Sequence, residues 1–252
     1  MKQLLDFTGK VVLITGARSG IGEAVALAFA EQGAKLVLAG RSNCDKTLAR
    51  IKEVGGEAIF VKGDVSVADD VQHIVNKTVK TYGRLDVAFN NSGLFPVNAN
   101  IVEHTEEDFD KIINVDLKGV FLCMKYEIPE MLKQGGGAII NTGSVASIEG
   151  GAGASSYVAA KHGAAGLTKA AACEYAKDNI RINLIAPGFT ATEMTAPWMA
   201  DPVLEEMFKS KSPANRIAAP EEIVGLVLLL ASPMGSFMTG GVYTVDGGQT
   251  AG

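Results

Sequence analysis

Cysteine, histidine and tryptophan are scarce in this chain of 252 residues, and their scarcity excludes several kinds of site. The three cysteines, Cys44, Cys123 and Cys173, are odd in number and widely separated, so they indicate neither a disulfide framework nor a paired metal site. The three histidines have no ligand-type residues at metal-binding spacing, so we interpret them as surface or packing residues. The sequence therefore predicts no catalytic metal.

Positive charge and long apolar runs are also lacking. The formal net charge is −5, which argues against a nucleic-acid surface because such a surface needs clustered Lys and Arg. The longest obvious apolar run, residues 223–231, is far shorter than the roughly 20 residues that a spanning helix needs. Asp6 interrupts the apolar start of the chain, so no signal peptide is predicted. We expect a cytoplasmic protein with no nucleic-acid or membrane partner.

Short apolar, β-branched runs alternate with longer helical stretches along the whole chain. Several of the runs are almost continuously apolar, which is typical of strands that are covered on both faces. Strands are predicted at 11–15, 35–39, 58–61, 87–90, 138–142, 181–185 and 242–245. Helices are predicted at about 20–32, 45–54, 67–82, 106–133, 155–177 and 221–231.

This alternation predicts one α/β domain over residues 1–252, with a parallel sheet of seven strands between two layers of helices. No linker, repeat or low-complexity segment divides the chain. Residues 189–215 break the alternation and are rich in Pro, Met and aromatic residues. An insertion of that kind beside a strand end favours a substrate lid.

A glycine-rich run follows the first predicted strand. Gly16, Gly20 and Gly22 lie between that strand and the next helix, where glycine permits a tight turn and close approach of a cofactor pyrophosphate. The spacing is GxxxGxG, which differs from the GxGxxG of the general dinucleotide fingerprint. Glycines also collect in ordinary turns, so it is the position between strand and helix that favours a nucleotide site.

The end of the second strand favours NADP over NAD. A site for NAD usually carries an Asp or Glu there to accept the ribose 2′-hydroxyl. This chain instead has Gly40-Arg41-Ser42, and an arginine can form charge-assisted bonds to a 2′-phosphate. Arg41 as a solvated loop cation is the alternative. Arg18, in the glycine loop, is either a second phosphate ligand or exposed.

Tyr157 and Lys161 lie four residues apart on a predicted helix, so both side chains project from one face. The ordinary pKa of tyrosine is about 10, and one nearby cation lowers it enough for chemistry near neutral pH only in a sheltered cleft. Ser144 ends the preceding strand region. Taken alone, each of these residues also has a purely structural explanation.

Together these motifs resemble the short-chain dehydrogenase/reductase family, in its form of about 250 residues, over nearly the whole chain. The residues that carry the resemblance are Thr15-Gly-Ala-Arg-Ser-Gly-Ile-Gly22, Asn90-Asn-Ser-Gly93, Asn114, Ser144, Tyr157-x-x-x-Lys161 and Pro187-Gly-Phe-Thr-Ala-Thr192. Ser92 stands where the family usually has alanine, a change that concerns local packing. The resemblance implies a doubly wound Rossmann-type domain that transfers a hydride between NADP(H), or less favoured NAD(H), and a carbonyl or secondary alcohol.

The resemblance also implies a role for each motif. Tyr157 would be the general acid in reduction and the base in oxidation, and Lys161 would lower the pKa of Tyr157 and hold the cofactor ribose. Ser144 would orient the substrate oxygen, and Asn114 would support a proton relay to Lys161. Asp64 would bind adenine, although it could equally be a turn residue. The implied cofactor ligands are Gly16, Arg18, Ser19, Gly20, Ile21, Gly22, Arg41, Ser42, Asp64, Val65, Asn91, Gly93, Tyr157, Lys161, Pro187, Gly188, Thr190 and Thr192.

The lid composition favours an apolar ketone as substrate. Apolar side chains that pack against the domain are the alternative, and Phe95 and Pro96 would add to the same pocket wall. The lid residues concerned are Met194, Trp198, Met199, Met207 and Phe208. A sugar dehydrogenase, a 3-ketoacyl reductase and a non-catalytic dinucleotide-binding protein stay open. The small residues of helix 155–177 and the family resemblance favour a homotetramer.

Overall fold

The computed structural model describes residues 5–95 and 98–252, and these residues form a parallel sheet of seven strands. The strands are β1 Val11–Thr15, β2 Lys35–Gly40, β3 Glu57–Lys62, β4 Val87–Asn90, β5 Gly137–Thr142, β6 Ile180–Pro187 and β7 Val242–Val245. The helices are α1 Gly20–Glu31, α2 Asp45–Glu53, α3 Ala68–Tyr82, α4 Glu106–Ile113, α5 Gly119–Lys133, α6 Ser155–Tyr175, α7 Ala196–Met199, α8 Pro202–Ser210 and α9 Glu221–Ala231. None of the helices in this described part is both long and apolar enough to cross a bilayer.

The spatial order of the strands is β3-β2-β1-β4-β5-β6-β7. The chain first winds outward from β1 to β3, and it then returns to the other side of β1 and winds outward again to β7. This reversal makes the fold doubly wound and opens a crevice beyond the carboxyl ends of β1 and β4. The predicted fold class is therefore confirmed. Each predicted strand is present, and the ends differ by two residues at most.

Both faces of the central strands are buried, which explains their continuous apolar sequences. Val12 and Ile14 of β1 pack on one face of the sheet with Phe29 of α1 and residues of α9. Leu13 points to the opposite face and packs with residues of α3, α5 and α6, including Ala164. Two apolar layers therefore hold the sheet, and the strand ends are free to carry polar groups.

The helix predicted over 106–133 is interrupted. α4 ends at Ile113, a π-helical segment occupies Asn114–Lys118, and α5 begins at Gly119, whose N–H bonds to the Asn114 carbonyl. A π turn inserts one residue into the helical repeat and so shifts the faces that follow it. The sequence is helical throughout, so its periodicity cannot reveal the insertion. The helix predicted over 155–177 ends at Tyr175 and continues as a 3₁₀ turn.

A buried polar network ties the sheet to two helices. The amide of Asn90, at the end of β4, donates to Glu127 of α5 at 3.1 Å and to Asn141 of β5 at 3.0 Å. Asn141 in turn donates to the Thr168 hydroxyl of α6 at 3.0 Å. All four side chains are buried. Asn90 thus joins the neighbouring strands β4 and β5. Glu127 is a buried carboxyl with no cationic partner among the described residues.

Replacing Glu127 with Gln is expected to stabilise the protein more at pH 8 than at pH 5. Burial raises the pKa of Glu127 to about 7, from an ordinary value of 4.5. The folded state therefore favours the protonated carboxyl, and stability that is present below the unfolded pKa is lost as the pH rises towards the folded pKa. The loss is on the order of 3 kcal/mol. Denaturant unfolding of both proteins across this range measures the difference in the free energy of unfolding.

Glu107→Gln, at an exposed position of α4, is the matched control. Its free energy of unfolding relative to the wild type should stay constant between pH 5 and pH 8. A constant difference for Glu127→Gln as well would show that Glu127 is already ionised in the folded protein.

Candidate active site

A cavity of about 770 Å³ lies at the carboxyl ends of the strands, where the strand order reverses. Parallel strands bring their carboxyl ends to one edge, so motifs that are far apart in sequence meet there. The cavity is lined by residues 16–21 after β1, 39–42 at the end of β2, 63–65 after β3, 91–95 after β4, 142–146 at the end of β5 and 187–190 at the end of β6. Tyr157 and Lys161 reach it from α6, and residues of the predicted lid cover one side.

The glycines after β1 form a close-packed cradle. Gly16 and Gly20 have φ of +68° and +60°, a left-handed conformation that favours glycine. A Cβ on Gly22 would lie 2.3 Å from the Gly16 carbonyl oxygen, and a Cβ on Gly20 would lie 2.9 Å from the Thr192 side chain. Gly22 does not line the cavity. It permits α1 to pack against the loop, while Gly16 and Gly20 present backbone to the cavity.

The amino terminus of α1 faces this cradle. Ser19 occupies the N-cap position but makes no side-chain hydrogen bond to the first N–H groups of the helix. Uncapped N–H groups and the positive end of the helix dipole form a site for an anionic group. The cradle is free of side chains at Gly16 and Gly20, so the residues present fit the pyrophosphate of a dinucleotide.

Arg41 and Asp64 lie side by side where β2 and β3 end. The Arg41 Nε atom is 4.0 Å from an Asp64 carboxylate oxygen, and the Arg41 side chain is 63% exposed. Asp64 also accepts hydrogen bonds from the N–H and hydroxyl groups of Ser66 at 2.9 and 2.7 Å. Partial burial opposes ionisation, but these bonds and the charge of Arg41 hold the pKa of Asp64 below its ordinary value. Asp64 is thus a turn residue that also lines the cavity, and Ser42 and Val65 lie beside it in the lining.

Arg18 has a partner that the sequence did not indicate. Its Nη2 atom bonds to a Glu193 carboxylate oxygen at 2.7 Å, and both side chains are more than half exposed. Glu193 stands in the predicted lid, so the pair joins the glycine loop to the lid. An exposed ion pair contributes little stability, about 0 to 1 kcal/mol, so the link is easily broken.

The Lys161 ammonium lies in the part of the cavity that Ser144 and Tyr157 also line, called the catalytic end below. Its side chain is 4% exposed, and Nζ is 3.0 Å from an oxygen of Asp116, a residue of the π-helical segment whose side chain is fully buried. Nζ also donates to the Thr142 carbonyl at the end of β5, at 3.0 Å. Burial lowers the pKa of Lys161, but Asp116 and Tyr157 together outweigh burial and keep the pKa raised. The ammonium therefore stays charged.

Gly93 leaves the space that this ion pair needs. A Cβ on Gly93 would lie 2.7 Å from an Asp116 carboxylate oxygen and 3.7 Å from Lys161 Nζ. The other Asp116 oxygen accepts the Leu94 N–H at 3.0 Å. The loop after β4 therefore holds the carboxylate by its backbone. Asn91, in the same loop, uses its amide to bond to the carbonyl groups of Thr15 and Gly16 at 3.3 and 3.2 Å.

Tyr157 is half-buried beside this ion pair, with its ring centroid 5.3 Å from Lys161 Nζ. Burial raises the pKa of Tyr157, and the charge of Asp116 raises it further. Lys161 and a hydrogen bond to Ser144 act in the opposite direction but do not compensate. The net direction of the pKa is upward, whereas the family resemblance implied that Lys161 would lower it. The largest cause is burial of the phenol, and the charge of Asp116 adds to it.

Ser144 begins a short turn after β5. Its hydroxyl accepts the Ala146 N–H at 3.2 Å, while the Ser147 hydroxyl accepts the N–H of Ser144 at 3.2 Å. These reciprocal bonds hold Ser144 at the mouth of the cavity, on the same side as Tyr157. The serine is therefore both the end of a strand and a lining residue.

The chain after β6 crosses the cavity in a fixed turn. Gly188 passes so close to β7 that a Cβ there would lie 2.8 Å from the Asp246 Cα atom. The Thr190 hydroxyl donates to the Gly188 carbonyl at 3.0 Å, and the Thr195 hydroxyl donates to the Thr190 carbonyl at 2.7 Å. Pro187, Gly188, Thr190 and Thr192 all line the cavity.

Aromatic rings form one wall of the cavity. Phe95 and Trp198 are 3.9 Å apart between ring centroids, Phe189 stacks on Phe208 at 3.8 Å, and Phe95 lies 5.5 Å from Tyr157. The predicted lid contains α7 and α8 and contributes most of these rings. Met194, Met207 and Phe208 line the cavity with Trp198, whereas Met199 does not. Pro96 lies outside the described residues.

Polar groups form another part of the cavity wall. Glu149, Asn98 and Gln249 all line the cavity, and the Gln249 amide donates a hydrogen bond to the Glu149 carboxylate. Gly153, with φ of +76°, accommodates Asn98, since a Cβ on Gly153 would overlap the Asn98 side chain. The sequence does not indicate this wall, because its members are up to 151 residues apart and belong to no motif.

Within residues 5–95 and 98–252 no group of three or more His, Cys, Asp or Glu could hold a metal ion. All three cysteines are free thiols. Burial raises the pKa of Cys44, which lines the cavity, to about 11, so its thiol is unreactive.

Comparison with known proteins identifies relatives over nearly the whole chain. The chain is 42% identical to a cyclohexanol dehydrogenase of an Acinetobacter species, over 97% of this chain and 96% of that protein. The crystal structure of a levodione reductase superimposes with a TM-score of 0.94 at 38% identity, covering 97% of this chain and 99% of the other. A putative 2-deoxy-d-gluconate 3-dehydrogenase from Agrobacterium tumefaciens, with bound NADP, gives a TM-score of 0.91 at 34% identity, covering 99% of both chains.

A family model described as enoyl-(acyl carrier protein) reductase matches residues 16–250. The chain is a short-chain dehydrogenase/reductase. Its relatives act on alcohol and ketone groups, so an oxidoreductase of that class is established.

The short-chain dehydrogenase/reductase site brings Ser144, Tyr157 and Lys161 together, but it does not include Asn114. Asn114 is exposed at the start of the π-helical segment and does not line the cavity. Asp116, two residues later, occupies the position beside Lys161. The π turn directs this face of the helix inward, so Asp116 contacts Lys161, and the relay role of Asn114 stays a prediction.

Replacing Tyr157 with Phe in this short-chain dehydrogenase/reductase should reduce turnover at least about a hundredfold, because the phenolic proton donor is lost. Dinucleotide binding should stay nearly unchanged, because the ring is kept. Ketone-dependent loss of NADPH absorbance measures turnover, and quenching of NADPH fluorescence measures binding. Tyr175→Phe, on the same helix but outside the cavity, should change neither quantity. Substantial turnover by the Tyr157 variant would refute this role.

Proposed function

We propose that the protein is an NADP(H)-dependent reductase of apolar ketones that also oxidises the corresponding secondary alcohols. The observation that supports this best is the shared cavity, in which the Tyr157 and Lys161 side chains stand between the glycine cradle and an aromatic wall. Cofactor binding, substrate binding and proton transfer would therefore take place in the same cavity. A pocket with apolar walls and a few polar groups is typical of a small-molecule site.

The dinucleotide, when bound, supplies the hydride. The protein's own residues then provide orientation and the proton. The cradle at Gly16 and Gly20 and the amino terminus of α1 would hold the pyrophosphate, and Lys161 would bond to the ribose. Ser144 would hold the substrate oxygen, which gains negative charge during reduction. Tyr157 would donate its phenolic proton to that oxygen and would take a proton back in the oxidation of an alcohol.

The preference for NADP(H) is supported by the groups at the ends of β2 and β3. Arg41 replaces the acidic residue that would accept a 2′-hydroxyl, and its guanidinium is exposed to the cavity beside Asp64. A guanidinium forms forked, charge-assisted bonds with phosphate. NAD(H) is the alternative cofactor, and it requires no contact with Arg41.

Replacing Arg41 with Ala should weaken the use of NADPH by about ten- to a hundredfold, because one charge-assisted contact is lost. The use of NADH should hardly change. The measurement is kcat/KM for both cofactors with one ketone. Lys62→Ala removes an exposed cation at the end of β3 outside the cavity, and it is the control that should change neither value.

A wild-type preference for NADH would contradict the cofactor assignment. So would an equal loss with both cofactors in the Arg41 variant, because that result would mean a structural role for the guanidinium.

An apolar substrate is supported by the aromatic wall of Phe95, Trp198, Phe189 and Phe208. Relatives named as a cyclohexanol dehydrogenase and a levodione reductase act on cyclic compounds, which supports a ring-shaped ketone. The alternative with a specific observation in its favour is a sugar-type substrate. Glu149 and Gln249 also line the cavity and bond to each other, so they would need to separate to bind hydroxyl groups.

A panel of cyclic, aryl and aliphatic ketones, 3-ketoacyl thioesters and keto sugars tests the substrate class. The cyclic and aryl ketones are expected to give the highest kcat/KM, because ring substrates fill an aromatic wall. Trp198 is the only tryptophan of the chain, so its emission should change when NADPH and such a ketone bind together. Faster turnover of a sugar with no change in emission would contradict both the lid and the apolar assignment.

We also propose a homotetramer. Two apolar side chains support association of these helices with another copy: Phe109 on α4, which is 43% exposed, and Phe121 on α5, which is 46% exposed.

The free cysteines and the lack of a disulfide among the described residues are compatible with the reducing cytoplasm, which we propose as the location of the protein.

A further inference from the structure

Two polar side chains line the cavity without a part in the proposed hydride transfer. Glu149 and Gln249 are both half-buried, and the amide of Gln249 donates a hydrogen bond to the carboxylate of Glu149. They are called the polar pair below. A ligand that displaces water from a polar group loses free energy unless it offers a hydrogen bond in return. The polar pair therefore favours a substrate that carries a matching polar group.

The backbone fixes the position of Glu149 relative to Ser144. The Glu149 N–H bonds to the Val145 carbonyl at 3.0 Å, and the Ser147 N–H bonds to the Ser144 carbonyl at 2.7 Å. Glu149 thus belongs to the turn that also holds the Ser144 hydroxyl. The backbones of Ser144 and Glu149 therefore keep a constant separation, which suits a site that binds two groups of one substrate.

Gln249 is held from the other end of the chain. It follows β7 in a turn whose Asp246 carboxylate accepts the Thr250 N–H and hydroxyl groups at 2.9 and 2.6 Å. The Gly247 carbonyl, in the same turn, accepts the Ser212 hydroxyl from the end of the lid at 2.9 Å. Both members of the polar pair thus stand on hydrogen-bonded turns, and their contact joins the Ser144 turn to the C-terminal turn.

The polar pair offers hydrogen-bond acceptors to a ligand. A carboxylate only accepts hydrogen bonds, so the Gln249 amide turns its NH₂ group towards Glu149. The second carboxylate oxygen and the Gln249 carbonyl oxygen then have no donor among the described residues. A substrate hydroxyl group can donate to one of these oxygens while the pair stays joined. Glu149 would repel an anionic group, and an aliphatic group would leave both oxygens without a donor.

The rest of the cavity limits how many polar groups a substrate carries. Phe95 lies 3.9 Å from Trp198 and 5.5 Å from Tyr157 between ring centroids, so aromatic surface adjoins the proton donor. The joined polar pair serves one hydroxyl group, whereas the several hydroxyl groups of a sugar would require the pair to separate. This combination fits an apolar ring with one carbonyl and one hydroxyl group.

We propose that Glu149 and Gln249 determine specificity by binding a hydroxyl group of the substrate, which is then a cyclic hydroxyketone. This rests on the proposed function and names its substrate class. The hydride is added to the carbonyl carbon and the Tyr157 proton to the carbonyl oxygen, so the product is a cyclic diol. The recognised hydroxyl group forms and breaks no covalent bond, and the polar pair acts by binding alone.

Matched sets of substituted cyclohexanones test the proposal with the wild-type protein. A hydroxyl substituent donates and accepts hydrogen bonds, a methoxy substituent only accepts them, and a methyl substituent does neither. At the preferred ring position, kcat/KM for the hydroxyl compound should exceed that of both others by about ten- to a hundredfold, because a hydrogen bond to a charged acceptor is gained. Methoxy or methyl compounds that react as well as the hydroxyl compounds at every ring position would refute the proposal.

Glu149→Leu/Gln249→Leu removes the acceptors with little change in side-chain size. The hydroxyl compound should lose its advantage of about ten- to a hundredfold, while kcat/KM for the methyl compound stays the same or rises. Glu107→Leu/Gln72→Leu makes the same two substitutions at exposed positions outside the cavity and should change neither value. An equal loss with both ketones in the first variant would mean that the pair only holds the C-terminal turn in place, which overturns the proposal.

Unsubstituted cyclohexanone distinguishes failure of this proposal from failure of the proposed function. Turnover of cyclohexanone with no preference for a hydroxyl compound refutes the role of the polar pair and leaves the ketone reductase function intact. No turnover of any ketone with either dinucleotide refutes the proposed function and this role with it. The comparison of substrates with the wild-type protein decides the matter if the double variant does not fold.

Discussion

A buried ammonium ion is the constraint on which the catalytic end of this fold depends. Lys161 is almost inaccessible to solvent, so its charge needs an anion and hydrogen-bond acceptors inside the protein. Asp116 and the carbonyl of Thr142 meet that need. The requirement explains the π turn that brings Asp116 inward and the glycine at position 93 that leaves space for it.

The parallel sheet provides the place where this cluster meets the nucleotide cradle. Strand order reverses between β1 and β4, so the loops after these strands diverge and leave a cavity at their carboxyl ends. Gly16 and Gly20 present bare backbone on one side, and Tyr157 projects from α6 on the other. Apolar layers on both faces of the sheet hold these ends in place. The position of the site is thus a consequence of topology.

Much of this arrangement can be predicted from the sequence, because each strand is an apolar run and each motif follows a strand. The seven strands and the glycine cradle depend on local patterns, and so does the spacing of Tyr157 and Lys161. The π turn does not follow from a local sequence pattern. Its residues are helical in composition, and only tertiary packing selects the wider turn. The contact of Asp116 with Lys161 depends on that turn. The contact of Gln249 with Glu149 joins two segments that share no sequence pattern, so it could not be predicted from the sequence either.

The central claim is that this cavity carries out hydride transfer rather than merely binding a dinucleotide. The most direct test uses NADPH that carries deuterium at the transferable position of the nicotinamide ring, together with a cyclic ketone. The account predicts one deuterium on the carbinol carbon of each alcohol molecule formed, measured by mass spectrometry. Tight NADPH binding without deuterium transfer to any ketone of the panel would contradict it and would indicate a dinucleotide-binding protein without catalytic activity.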